Sequence, residues 1–149
     1  IENFENLSEG IYSGKTGVKN EERFNSLISN LLLDNAMMDL DMGHYDTAIE
    51  GVEKFLRMLP NSAKGHFCLG EIYRQRGENQ DSQKAENEYF QALSYDQNYP
   101  LPHKGLGILY YKQGIENKSI NEFKKYLELL PDAFDKEYIN QYIQHLKAE

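Results

Sequence analysis

The chain has 149 residues, enough for one domain or a short array of repeats, and 40% of them are apolar, which excludes a disordered tail. Lys and Arg number 16 against 24 Asp and Glu, giving a net charge of −8, and no basic cluster is denser than Lys124-Lys125 or Arg74-x-Arg76. Nucleic acid and anionic membrane surfaces both call for a cationic face, so both are disfavoured as partners.

The longest uncharged run, Phe24 to Leu33, is ten residues, where a membrane span needs roughly 18, so no direct membrane insertion is expected. The first residue is Ile1, so the chain is expected to be a processed product or an excised piece, and a signal or anchor sequence is not to be sought within it. Cys68 is the single cysteine, so no internal disulfide can form. The compartment stays open, with cytoplasm and bacterial periplasm both compatible.

In chain order, residues 1–19 hold Gly10, Gly14 and Gly17 and few periodic apolar positions, and are expected to be extended or loosely ordered. Phe24, Leu27, Ile28, Leu31 and Leu32 then recur at helical spacing. Asn20 followed by Glu21-Glu22 reads as a cap with acidic residues at the favourable end of the dipole, so the first helix is predicted from about residue 20 to 42.

Beyond that point the sequence repeats. Leu69-Gly70-Glu71-Ile72-Tyr73 returns 37 residues later as Leu106-Gly107-Ile108-Leu109-Tyr110, and Ala36 stands 34 residues before Gly70. Gly43, Gly77 and Gly114 each follow their small residue by seven positions. A second small residue comes five positions after the turn glycine in the first and third units (Ala48, Ser119). In the second unit eight are needed to reach Ala85, which accounts for the three extra residues.

The spacing has a steric reason. A Gly or Ala where two helices cross lets their backbones approach, and a large residue of the neighbouring helix fills the space. The turn glycines end each first helix in a conformation that Gly adopts cheaply. Pro60 and Pro131 stop the second helices of the first and third units, whereas Gln97 stands at that place in the second.

The pattern resembles the tetratricopeptide repeat, a 34-residue helix–turn–helix unit with the signature bulky-x-x-Leu-small-x-x-Tyr, then Ala-x-x-x-aromatic, then Pro. His66, Leu69, Gly70, Tyr73, Ala85 and Tyr89 carry it in the second unit, and His103, Leu106, Gly107, Tyr110, Ser119, Phe123 and Pro131 in the third. The first unit is less regular, with Asn35 and Asp39 where Leu and Tyr are usual. The resemblance implies an all-α solenoid of three such units, about 29–62, 63–99 and 100–131, within residues 20–131. Residues 132–149 are expected to form a C-terminal capping helix opened by Asp132 or Asp135. Its packing face would hold Phe134, Tyr138, Ile139, Tyr142, Ile143 and Leu146.

Candidate chemistry is sparse. Gly10 to Thr16 approaches a phosphate-binding loop, but three residues separate Gly10 from Gly14-Lys15-Thr16 where the loop needs four, and no apolar strand precedes it. His44, His66, His103 and His145 form no pair at metal-ligand spacing. His66 and His103 occupy equivalent places, where the packing role, with a ring nitrogen at the surface, outweighs a ligand or switch role. Cys68 has no base near it in sequence and reads as a small buried hydrophobe. No catalytic constellation, metal site or cofactor site is expected, so the chain is not read as an enzyme.

In the family that the chain resembles, first helices line a concave face. A stripe about one residue beyond the packing positions gives Leu33, Met37 and Leu40 in the first unit, Phe67, Glu71 and Arg74 in the second, and Lys104, Ile108 and Tyr111 in the third. Six of these nine are apolar, which on a surface marks a binding site. A protein partner could lie in that groove, as a peptide or a domain. Alternatively residues 1–19 could cover it with Phe4, Leu7, Ile11 and Tyr12, or a second copy could. Family members that bind chaperone tails grip a terminal carboxylate with a clamp of Lys and Asn. The matching positions here are Leu33, Met37, Cys68, Leu101 and Gly105, so that specialisation is not expected.

The primary reading is therefore a protein–protein interaction scaffold. A second resemblance, carried by Tyr99 to Tyr111 and Tyr126 to Ala133, is to repeats that follow the catalytic domain of some bacterial HExxH zinc peptidases. It implies the non-catalytic tail of a larger envelope protein, a metallopeptidase or assembly factor, since no HExxH occurs here.

Overall fold

The computed structural model describes residues 14–148, which form seven helices: α1 (Gly14–Asp41), α2 (Tyr45–Met58), α3 (Ala63–Arg76), α4 (Asp81–Tyr95), α5 (Pro100–Lys112), α6 (Glu116–Leu129) and α7 (Lys136–Ala148). They pair in sequence as α1/α2, α3/α4 and α5/α6, each pair stacks on the next, and α7 closes on α6. The first helix starts earlier than its sequence suggests. Residues 14–19 are helical, not extended, and Asn20 lies inside α1 without a capping role. Phe4, Leu7, Ile11 and Tyr12 fall outside the described residues.

The crossings are close. A Cβ placed on Gly70 would stand 2.8 Å from the Tyr89 ring, and one on Gly107 would stand 2.5 Å from the Phe123 ring. In the first pair both helices give way, Ala36 on α1 facing Gly51 on α2. The hydroxyl of Ser119, fully buried, donates to the Gly107 carbonyl at 2.7 Å and closes the third crossing.

Helix ends follow the sequence punctuation. Ser62 caps α3 by accepting the Gly65 N–H at 3.1 Å. Leu59 and Leu130 end α2 and α6 at φ −132° and −134°, as residues before proline do. Asp96 ends α4 at φ −143° without a following proline, and its carboxylate accepts the Asn98 N–H at 3.0 Å in a turn of its own.

The longer α3–α4 turn has its own fastening. Gly77 (φ 67°) and Gln80 (φ 66°) are both left-handed, and the latter is the one non-glycine of that kind among the described residues. Asp81, wholly buried, accepts the Glu78 N–H and a forked pair of hydrogen bonds from Arg76 at 2.8 and 3.0 Å. Arg76 also reaches Asp46 of α2 at 3.0 Å. The insertion is thereby tied to both neighbouring helices.

The two histidines at equivalent positions are structural joints with partners that their own spacing does not show. His66 Nδ1 donates to Glu88 Oε2 at 2.7 Å and its Nε2 reaches the Pro60 carbonyl at 2.9 Å. His103 Nδ1 donates to Glu122 Oε2 at 2.6 Å, and both groups are buried. Each glutamate lies three residues after the small residue of its second helix, so the pair is itself a repeated element. The first pair of helices has Leu32 and Gly51 instead.

At the C-terminus, Ile139, Ile143 and Leu146 bury the inner face of α7, but Phe134 and Tyr138, expected on that face, are 95% and 70% exposed. The helix begins at Lys136, directly after Asp135, one of the two expected openers, and the Ile139 N–H donates to the Asp135 carbonyl at 3.0 Å, while the Asp135 side chain is engaged elsewhere. Its carboxylate takes Lys104 at 2.6 Å and the Tyr126 hydroxyl at 2.7 Å.

Candidate functional site: the face of the first helices

The nine stripe residues divide by what the next first helix does to them. Leu33 and Leu40, expected on an open surface, are 1% and 3% exposed and belong to the core formed by α1, α2 and α3. They cannot touch a partner. The reason is stacking: residues on this side of a first helix face the following first helix as well as the groove, and α3 covers them. The other seven are half-buried.

In the second unit the stripe is bound up in a polar network. Tyr89 reaches between Gly70 and Gly105 so that its hydroxyl emerges beside Glu71, donating to Oε1 at 2.6 Å. Arg74 donates to Glu71 at 2.6 and 3.1 Å and to the Tyr89 oxygen at 3.1 Å. Burial alone would raise the Glu71 carboxyl, but the bonds from Arg74 and Tyr89 outweigh it and hold it below the ordinary value. Burial and that carboxylate push the Tyr89 phenol far above its usual value, so it stays a donor. The three groups satisfy one another. Phe67 lies beside them, edge-on to Tyr99 at 5.5 Å.

The third unit is similar. Lys104 is committed to Asp135 and lies over the Tyr126 and Phe134 rings at 5.7 and 5.6 Å. Tyr111 packs edge-on against Tyr142 of α7 at 5.0 Å. Together with Tyr138, Gln141 and His145 these two line an aromatic hollow of about 300 Å³. Spacing alone did not single out Tyr138, Tyr142 or His145, because α7 read as a cap and not as a wall of the site. A larger hollow of about 690 Å³ lies under the first half of α1, floored by Phe55, Met58 and Leu59 and edged by Asn25, Ser29 and Lys64.

Elsewhere, burial pushes the Cys68 thiol up to about 12, so it is an unreactive packing group. Among the described residues no three His, Cys, Asp or Glu are grouped to hold a metal ion, and no helix is long and apolar enough to cross a membrane.

This arrangement of paired helices is that of tetratricopeptide-repeat domains. The chain is similar to the first repeat domain of Spaghetti (RPAP3) bound to the HSP90 peptide SRMEEVD, with a TM-score of 0.74 and 18% identity over 83% of this chain and 98% of that one. It is also similar to the Arabidopsis OM64 repeat domain (TM-score 0.71, 12% identity, 84% and 98% coverage). The Sgt2 domain of Aspergillus fumigatus is a further likeness (TM-score 0.70, 16% identity, 80% and 77%). At the level of sequence no family model matches, and no curated protein matches closely enough to count as a relative. The fold is thus an all-α solenoid of tetratricopeptide-repeat type.

Proposed function

We propose that this chain is a protein-interaction scaffold that receives a peptide or a partner domain on the face of its first helices. The aromatic hollow of Tyr111, Tyr138 and Tyr142 supports this reading most directly: Tyr138 is 70% exposed beside two further aromatics in a recess, where apolar area is normally covered. Met37 and Ile108 extend apolar area along the same face, and Phe67, Glu71, Arg74 and Lys104 form its half-buried rim. The ion pairs Glu71–Arg74 and Lys104–Asp135 are closed internally, so the partner is expected to be recognised by apolar and aromatic contact more than by charge.

The structure bound to SRMEEVD holds a peptide with an acidic terminus. The positions at which the resemblance would require a carboxylate clamp are here Leu33, Met37, Cys68, Leu101 and Gly105, and none carries a group that could grip an anion. The reading for this chain is therefore an apolar or aromatic segment, not a free carboxylate.

The test is a random-peptide display selection on the intact chain, followed by calorimetry of the selected peptides. Tyr111→Ser with Tyr138→Ser is expected to weaken those peptides by roughly tenfold or more while the helical content is kept. Peptides that bind both proteins equally, or no selected peptide at all, would overturn the proposal.

A further inference from the structure

The hollow between α5 and α7 is small, and rings form most of its wall. A volume of about 300 Å³ does not admit a helix, which is roughly 10 Å across, but it holds one long side chain. Tyr111 and Tyr142 meet there at 69° with ring centroids 5.0 Å apart, and Phe123 stacks on Tyr142 at 5.8 Å. Tyr138 stands one turn before Tyr142 on the same side of α7 and is 70% exposed. Gln141 and His145 complete the lining.

All five of these side chains end in a polar atom. A purely apolar side chain in the hollow would cover the rings and give the phenol and amide oxygens nothing to bond. A carboxylate would meet the negative faces of the rings. An arginine side chain answers both requirements. Its methylenes and flat guanidinium lie on ring faces, and its five N–H donors suit oxygens that accept.

Charge selects the same occupant. No Lys or Arg is among the residues that line the hollow, and Lys104, the cation of the stripe in this unit, is closed on Asp135 at 2.6 Å. At 100° per residue Lys136 and Lys147 fall on the side of α7 opposite Tyr138, Glu137 falls beside Gln141, and Lys112 lies a quarter turn around α5 from Tyr111. The chain as a whole carries −8, which favours the approach of a basic segment. Ring faces near this end already seat cations, Lys104 over Phe134 at 5.6 Å and Lys118 over Tyr110 at 5.1 Å.

We infer that the hollow of Tyr111, Tyr138 and Tyr142 is the seat of an arginine side chain carried by the partner segment, held on ring faces and neutral oxygens without an ion pair. The inference rests on the groove proposed above and names its anchor: the segment is apolar where it passes Ile108 and basic at this one position.

Ring-proton magnetic resonance of the intact chain at about pH 8 tests it. The two probes are N-acetyl-arginine methylamide and N-acetyl-citrulline methylamide, which have nearly the same shape and differ in charge. The arginine probe is expected to shift the Tyr138 and Tyr142 resonances and to bind roughly tenfold more tightly than the citrulline probe. Tyr138→Phe keeps the ring and should retain the arginine probe, whereas Tyr138→Leu, apolar without a ring, should weaken it roughly tenfold. The exposure of Tyr138 leaves the core of both variants intact. Equal binding of the two probes overturns the inference, as does a parent that does not bind the arginine probe or a Tyr138→Leu variant that binds it equally well. Displayed peptides that depend on Tyr111 and Tyr138 yet carry no arginine also overturn it, and leave the scaffold function standing.

Discussion

The ring of Tyr89, carried by α4, lies directly over the backbone of Gly105 in α5: a Cβ on Gly105 would stand 2.5 Å from Cζ and 2.8 Å from the phenol oxygen. Tyr89 is fully buried and its hydroxyl is fixed by Glu71 and Arg74, so the ring has nowhere to retreat. Gly105→Ala would gain about 1 kcal/mol of helix propensity, yet the overpacking is expected to dominate and destabilise the chain by roughly 1–3 kcal/mol. Urea unfolding monitored by circular dichroism measures it. A variant as stable as the parent would mean that the Tyr89 ring is free to shift.

Gln80 holds a left-handed backbone at φ 66° with an exposed side chain. Gln80→Gly removes that strain and is expected to raise stability by about 0.5–1 kcal/mol. One residue from this gain lies a large loss. Asp81→Ala leaves Arg76 without its forked acceptor and the Glu78 N–H unpaired, for an expected cost of about 3–5 kcal/mol. Opposite signs so close together in one turn make a sharp check by thermal melting.

Acid should unfold this chain early. Glu71, Asp81, Glu122 and Asp135 all sit below ordinary carboxylate values in the folded state. For Asp81 the Arg76 hydrogen bonds are the main cause. For the other three, burial pulls the opposite way and is outweighed, by Arg74 and Tyr89 at Glu71, His103 and Lys125 at Glu122, and Lys104 and Tyr126 at Asp135. A depressed folded pKa gives stability that is complete above the unfolded value of roughly 4 and is lost as pH falls through the folded value. Unfolding free energy is expected to be level from neutral pH to about 5 and to drop below about 4. Lys104→Met should make the drop shallower by weakening the Asp135 contribution, whereas an unchanged slope would remove Asp135 from this account.

Leu33 and Ile108 were alike in the sequence, both apolar members of the stripe, but differ in what covers them. Leu33→Ala, at 1% exposure, is expected to cost about 2–4 kcal/mol through a cavity beneath α3. Ile108→Ser, half-buried at the groove, should cost less and act on partner binding instead. Equal losses of stability at both positions would place Ile108 in the core as well.

Much of the architecture was legible because it rests on contacts close in sequence. Gly70 and Gly107 must be small where helices cross, and Gly43, Gly77 and Gly114, at φ 76°, 67° and 71°, must turn the chain within one unit. Such requirements leave a fixed spacing. The polar joints were hidden for the opposite reason. Glu88 and Glu122 look like ordinary surface glutamates on a helix, and only the packing of α3 on α4 and α5 on α6 brings them to His66 and His103. Lys104 read as a groove cation until Asp135, from the turn before α7, took it up.

By itself, then, the sequence determined the number of units, the crossing points and the turns, since each depends on one residue's size or backbone freedom within about 37 positions. The tertiary structure alone decided which side of each first helix meets water. Stacking buried Leu33 and Leu40 and turned Phe134 and Tyr138 outward. The physical reason is that burial belongs to pairs of surfaces. A leucine's hydropathy is the same on either side of a helix, and only the neighbour that arrives, or does not, settles whether it becomes core or interface.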